Sequence, residues 1–276
     1  MTPSLDELKT ISREIRIDIL TMLHTAGSGH TGGSLSAVEM MVALFFAHMH
    51  LEPGNPCFAD RDRFVLSKGH AAPVYYAVLA RLGFITKKET LTLRRLGSCL
   101  QGHPDCKLTP GIEVSSGSLG QGLSIANGMA LGFKIDRRPV RVFALLGDGE
   151  VQEGQIWEAA MTASHYRLDN LCALLDNNGL QIDGPVAEVK NIEPLSQKWE
   201  SFGWHVRVVD GHDLSDILEA LDEAAHHKGQ PSIIIGRTIK GKGVSIFENK
   251  VRYHGLAPTV EELAQALKEL SAHREG

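Results

Sequence analysis

The sequence predicts an α/β fold: a doubly wound, mainly parallel sheet with helices on both faces. Two observations point there. Apolar, strand-like runs alternate with helical periodicity along all 276 residues, the pattern of right-handed βαβ units. Glycine and polar clusters stand at the ends of those runs, at 67–70, 147–149 and 176–178. The carboxyl ends of parallel strands are where such sheets bind ligands.

The elements follow in order. Ser4 and Glu7 form a capping box that opens a helix over 5–25, with Ile11, Ile15, Ile19 and Met22 on one face. A loop over 26–33 follows. Ser36 and Glu39 have capping-box spacing and predict a second, very apolar helix to about Ala47, buried in a core or against another subunit. Residues 63–66 read as a short strand, followed by a helix to about Leu82. Gly117, Gly120, Gly122, Gly128 and Gly132 mark a glycine-rich helix over 117–132, where other backbone can come close. The run 140–146 is apolar throughout, as a strand covered on both faces requires. A helix over 153–166 leads to a strand over 171–175. Strands near 205–209 and 232–238 flank a helix over 213–227. Thr259 and Glu262 cap a last helix. No internal repeat or linker divides the chain, so 1–276 reads as one domain.

Composition excludes several classes. A net charge of −5 leaves no basic footprint for nucleic acid. No apolar run approaches the roughly 18–20 residues that span a bilayer. The first ten residues have neither a signal-peptide layout nor a transit-peptide composition, so a cytoplasmic location is expected. Cys57, Cys99, Cys106 and Cys172 show no CxxC spacing, and disulfides are not expected. Cys99, His103 and Cys106 lack a fourth ligand for zinc and read as two thiols beside a histidine.

Gly147-Asp148-Gly149 closes one predicted strand, and Asn177-Asn178 closes the next, a βαβ interval later. Either piece alone is an ordinary turn. Together they put Asp148 and Asn178 side by side at one sheet edge. A carboxylate, an amide oxygen and a nearby backbone carbonyl are hard donors that suit Mg²⁺, which keeps positions open for phosphate oxygens. Small residues at 147 and 149 let a diphosphate approach the backbone, beside a helix N-terminus.

This pair is the signature of thiamine-diphosphate enzymes, and its surroundings resemble the transketolase family. The run Gly147-Asp148-Gly149-Glu150-Val151-Gln152-Glu153-Gly154-Gln155-Ile156-Trp157-Glu158-Ala159 carries the resemblance. So do Gly29-His30, Leu66-Ser67-Lys68-Gly69-His70, Gly102-His103-Pro104, Gly117-Ser118-Leu119-Gly120-Gln121-Gly122, Ile182-Asp183-Gly184 and His254-Gly255. The resemblance is to the N-terminal, diphosphate-binding domain only. It implies a thiamine-diphosphate-binding fold and transfer of a two-carbon ketol unit between sugar phosphates, with a pentose-phosphate role as the default. It makes Asp148, Asn178 and the Leu180 carbonyl the Mg²⁺ ligands. It puts His70 and Gly149 against the diphosphate, Gly117 and Leu119 near the aminopyrimidine, and Ile182 in apolar contact with the cofactor. Glu153 matches an acidic residue at the subunit interface that links two sites. With Asn178 and His254 it completes the cofactor-contact set. Ser118 departs from the proline of many transketolases.

Five histidines adjoin glycine: His30, His70, His103, His212 and His254. Imidazole passes protons near neutral pH, and neighbouring glycine admits a substrate. The resemblance makes His30 and His254 proton-transfer residues at the acceptor sugar, and makes His103 a contact of the donor ketose hydroxyl. His212 reads as structural, next to a helix cap at Asp213. Lys240 and Lys242 read either as contacts for an anionic group at the site mouth or as an exposed loop. Two related readings stay open, the alpha subunit of a 2-oxo-acid dehydrogenase and deoxyxylulose-phosphate synthase. A non-catalytic protein that kept the fold is a third, since fold alone does not fix function.

The resemblance also implies a partner. Full-length transketolases carry further domains that supply the glutamate at the aminopyrimidine and the arginines for the sugar phosphate. The expectation is a separate C-terminal subunit in an α₂β₂ assembly. The helix over 36–47 and the glycine-rich helix over 117–132 are the candidate contacts.

Overall fold

The computed structural model describes residues 2–272; the expected one-domain span of 1–276 therefore extends beyond the described residues at both ends. In chain order the helices are α1 (Leu5–Ala26), α2 (Thr31–Leu35), α3 (Val38–Ala43, continued by a π-helical turn Leu44–His48), α4 (Ala72–Arg81), α5 (Lys87–Thr90), α6 (Gln121–Ile135), α7 (Gly154–His165), α8 (Val186–Val189), α9 (Leu195–Ser201), α10 (Leu214–His226) and α11 (Val260–Ala272). The strands are β1 (Arg63–Leu66), β2 (Val142–Gly147), β3 (Leu171–Asn177), β4 (Leu180–Gln181), β5 (Gly184–Pro185), β6 (His205–Asp210) and β7 (Ser232–Arg237).

Five strands form one parallel sheet in the order β1-β2-β3-β7-β6. β4 and β5 make a small antiparallel pair. Both faces of the sheet are covered, as the unbroken burial of β2 and β3 requires. One apolar core joins α1, α3, α4 and α10 to Phe64, Phe143, Leu174 and Ile234. The other joins α6, α7 and α9 to Val65, Ala144, Leu175 and Ile233. The alternation of side chains along each strand feeds the two cores.

Several expectations need correction. Ser36 and Glu39 cap nothing: the N-cap of α3 is Ala37, without a side-chain bond. Tertiary partners take both residues instead. Ser36 Oγ donates to Asp176 Oδ2 at 2.6 Å, and Glu39 pairs with Arg16 at 2.6 Å. The helix is buried on all sides within the chain's own core, which removes it as a candidate partner contact. Residues 31–35, expected as mostly loop, are helical. The glycine-rich helix begins at Gln121. Gly117 (φ 141°) and Gly120 (φ 87°) hold the approach to it in backbone that glycine tolerates and other residues do not.

Gly122 does lie in the helix, against the end of β1. A Cβ there would come within 2.7 Å of Ser67 Cα. Gly122→Ala is expected to destabilise the chain by about 1–3 kcal/mol through overpacking, read as a lower Tm in thermal denaturation.

Candidate active site

β2 and β3 pair in parallel with Gly147 opposite Asp176, which brings Asp148 and Asn178 to the same carboxyl edge. Asp148 is buried. Its Oδ1 accepts from the Gly149 N–H at 2.7 Å and its Oδ2 from the Gly179 N–H at 2.5 Å, so this carboxylate ties the two strand-end loops together. Burial, and then the neighbouring Asp176, push the Asp148 carboxyl up to about 6. Asn178 Oδ1 accepts from the Leu180 N–H at 3.2 Å. The Leu180 carbonyl accepts from Lys240 Nζ at 2.9 Å.

A carboxylate, an amide oxygen and a carbonyl are a hard-oxygen set, and a buried carboxylate beside a second one calls for positive charge. The residues present therefore fit a divalent cation carrying phosphate oxygens. Among the described residues, no cluster of cysteine and histidine side chains is set to hold a soft metal. Cys99 Sγ lies 3.9 Å from Glu89, whereas Cys106 Sγ lies 3.5 Å from Ser115.

Two buried acids shape this edge. Asp176 is fully buried, and Lys68, Ser36 and Thr238 all donate to it. Despite burial, these partners hold its carboxyl below the usual range, with the Lys68 charge the largest opposing influence. Glu150 accepts from the Ser67 hydroxyl, from the Gly120 N–H at 2.9 Å and from the Gly147 N–H at 3.0 Å. It thereby clamps the 117–120 loop onto the end of β2. Neither role was legible in advance, since each rests on partners far apart in sequence.

The structure brings four of the five glycine-flanked histidines together. The His30 ring lies 5.3 Å from His70, 6.0 Å from His103 and 5.6 Å from His254, and His70 stacks on His254 at 5.2 Å. His30 follows α1 and precedes α2; His70 sits in the turn after β1; His254 ends a 3₁₀ turn over Val251–His254. A Cβ at Gly117 would meet the His103 ring at 3.0 Å, so this glycine makes room for the imidazole. Glu153 is exposed. Leu119 and Ile182 are also exposed, at 38% and 63%, which is high for apolar side chains beside a cluster this buried.

All four imidazoles are neutral at neutral pH. Burial, and then Arg94, lower His30 to about 4. Burial, and then Lys240, lower His254 to about 3. Burial and Lys68 hold His70 well below its ordinary value, and burial and Arg94 lower His103. Lys240 Nζ donates to His254 Nδ1 at 3.1 Å, which fixes the ring proton on Nε2. His30 Nδ1 is buried without a partner among the described residues.

Lys240 is therefore no exposed-loop residue; it is buried between the Leu180 carbonyl and His254. Lys242 is not part of the cluster. It is half-exposed, its Nζ is 4.0 Å from Glu248, and its carbonyl accepts from Arg16. His212 bridges Glu39 and the Ile239 N–H, and Asp213 caps α10.

The depressed values set a pH dependence. The unfolded chain binds these protons near the ordinary histidine value of about 6.5, whereas the fold resists them down to about 4 for His30 and about 3 for His254. Stability is thus fully present above about 6.5 and is lost as pH falls below it. Thermal melts are expected to shift downward between pH 6.5 and 4, and less steeply in a His30→Gln, His254→Gln variant.

A parallel sheet that presents hard oxygens at one edge, next to proton carriers, belongs to the α/β domains that grip a diphosphate-bearing cofactor. Comparison with known proteins narrows the class. Residues 8–275 match the family model described as transketolase, thiamine diphosphate binding domain. A 6-deoxy-6-sulfo-D-fructose transketolase subunit from Clostridium sp. (strain MSTE9) is 46% identical over 264 residues, 96% of each chain. One subunit of the apulose-4-phosphate transketolase from Phocaeicola vulgatus is 40% identical over 266 residues, covering 96% of this chain and 94% of that one. The crystal structure of transketolase from Campylobacter jejuni superposes with a TM-score of 0.92 at 30% identity, over 98% of this chain and 43% of that one. The chain belongs to the transketolase family and is built from its thiamine-diphosphate-binding domain.

Proposed function

We propose that this chain is the diphosphate-binding subunit of a two-chain transketolase. The assembly moves a two-carbon ketol unit from a ketose phosphate to an aldose or aldose phosphate. The observation that carries this reading is the adjacency of the Asp148–Asn178–Leu180 oxygen set, through Lys240, to four clustered imidazoles. The names of the first two relatives add support. Each is a transketolase subunit of nearly this length, and each is named for a sugar bearing an anionic group.

In this reading Asp148, Asn178 and the Leu180 carbonyl hold Mg²⁺. His70 and Gly149 contact the diphosphate, Gly117 and Leu119 flank the aminopyrimidine, and Ile182 gives an apolar contact. Thiamine diphosphate, when bound, supplies the electron sink for cleaving and forming the carbon–carbon bond. The chain supplies binding, orientation and protons. Lys240 keeps the His254 proton on Nε2, from which it can pass to a sugar oxygen and return. His30 is the second carrier, and His103 orients the donor hydroxyl. The neutrality of all four rings keeps them able to accept as well as donate.

A partner subunit carrying the pyrimidine-binding domain completes the site in an α₂β₂ assembly. The glycine-bearing face of α6 supports this. Gly128 and Gly132 have open space where a side chain would stand, and Ile135, Met161 and Tyr166 are exposed nearby on α6, on α7 and just beyond it. Exposed Glu153 precedes α7 directly. An obligate interface of this kind buries upward of about 2,000 Å². The whole chain acts as one domain, equivalent to the N-terminal domain of a full-length transketolase. A pentose-phosphate role in the cytoplasm completes the reading; the four free thiols suit a reducing compartment.

The test mixes purified chain with a subunit carrying the missing domains and assays ketol transfer from a panel of ketose phosphates. Activity in the mixture and none in either component is expected. Normal turnover by this chain alone, shown free of partner by mass spectrometry, would overturn the proposal.

A further inference from the structure

Lys240 is a buried cation held by neutral partners. It bonds the Leu180 carbonyl and His254 Nδ1, and no carboxylate pairs with it among the described residues. Lys68, beside the same cluster, is instead paired with Asp176. An ammonium on a flexible four-carbon stem has no geometry of its own. Whether Lys240 makes both contacts therefore depends on where the loop after β7 puts its backbone.

That loop is anchored on each side of Lys240 by side chains from other elements. The Ile239 N–H donates to His212 Nε2 at 2.8 Å, and the Lys242 carbonyl accepts from Arg16 Nε at 2.9 Å. Buried Glu39, on α3, joins the two anchors. Its Oε1 pairs with Arg16 Nη1 at 2.6 Å. Its Oε2 accepts from Arg16 Nη2 at 2.8 Å and lies 2.9 Å from His212 Nδ1. A backbone N–H only donates, so His212 Nε2 is the acceptor and the ring proton sits on Nδ1, facing Glu39. Burial raises the Glu39 carboxyl, yet Arg16 and then His212 hold it down to about 2, so it stands as a carboxylate between them. Gly243 (φ 94°) lets the loop press on Arg16: a Cβ there would lie 2.7 Å from Nε. Neither His212, Glu39 nor Arg16 bonds to the oxygen set or to the four clustered imidazoles among the described residues.

From this arrangement we infer that His212, locked by Glu39 and Arg16, is a positioning residue of the active site. It holds the loop from which Lys240 reaches the Leu180 carbonyl and His254, and it acts on cation binding and on proton transfer through Lys240. The inference rests on the cation site and ketol-transfer reading proposed above.

The test uses the reconstituted complex and measures thiamine diphosphate affinity by calorimetry at saturating Mg²⁺, together with kcat. His212→Asn keeps an amide within reach of Glu39 but falls short of the Ile239 N–H. His212→Gln extends a carbonyl oxygen to where Nε2 stands. Both are made in the parent and in a Lys240→Met background. His212→Asn is expected to weaken cofactor affinity by about 10-fold, the lower end of what outer-shell partners of metal ligands contribute, and to lower kcat as well. His212→Gln should recover most of both. In the Lys240→Met background His212→Asn should cost less than about 2-fold, because two residues that act as one unit are not additive. An equal loss in both backgrounds would make His212 a support of the fold alone and overturn the assignment. So would unchanged affinity and kcat in His212→Asn, or a His212→Gln complex no better than His212→Asn. Failure of the parent complex to bind thiamine diphosphate with Mg²⁺ would instead sink the functional reading, and this inference with it.

Discussion

Replacing Asp148 by alanine is expected to abolish thiamine diphosphate binding at working concentrations while leaving the chain folded. Asp148 is the only carboxylate in the proposed cation site, and its loss leaves the diphosphate charge poorly neutralised. Loss of groups that merely orient ligands costs metal affinity about 10–100-fold, so loss of the charged ligand is expected to cost at least about 100-fold. The fold should survive. The substitution strands the Gly149 and Gly179 N–H groups, which accounts for about 1–3 kcal/mol each if they stay unsatisfied. It also removes the repulsion between Asp148 and Asp176. Calorimetry of cofactor with excess Mg²⁺, alongside circular dichroism, separates the two effects. Unaltered affinity would disprove the cation assignment.

The second large effect belongs to the histidines. His30→Ala and His254→Ala are expected to lower kcat by about 10²–10⁴-fold in the complete complex. Cofactor affinity should change far less, because neither ring is a proposed cation ligand and His254 is only one of several proposed cofactor contacts. His254→Ala also strips Lys240 of its Nδ1 acceptor, leaving the Leu180 carbonyl as the remaining acceptor for that ammonium. It should therefore disturb cofactor affinity more than His30→Ala does. Full turnover in either variant would return that residue to a structural role.

Much of this arrangement is visible in the residues. The apolar runs ending at Gly147 and at 177–178 announce neighbouring parallel strands, and the observed register pairs Gly147 with Asp176. Helix starts at Ser4 and Thr259 follow local rules and fall where the capping pattern puts them. The same rule fails at Ser36, because Asp176, 140 residues away, takes the hydroxyl. Local pattern cannot see a competitor of that kind. The glycine-rich run reads as helix from its start, yet Gly117 and Gly120 have positive φ, a property that glycine permits but does not declare. Lys68 and Lys240 are harder. Lysine is rarely buried unless paired, so composition argues for exposure until the partners, Asp176 and the Leu180 carbonyl, are in place. Arg94 gives no signal, since nothing adjacent in sequence marks an arginine whose charge reaches His30 and His103.

The central claim is that the edge formed by Asp148, Asn178 and the Leu180 carbonyl grips a diphosphate through a divalent cation. Titration of thiamine diphosphate into the reconstituted complex, followed by calorimetry with and without Mg²⁺, tests it most directly. Saturable binding that needs Mg²⁺, vanishes with a chelator and returns when the cation is restored is the predicted result. Binding of equal strength in the absence of any divalent cation would contradict it.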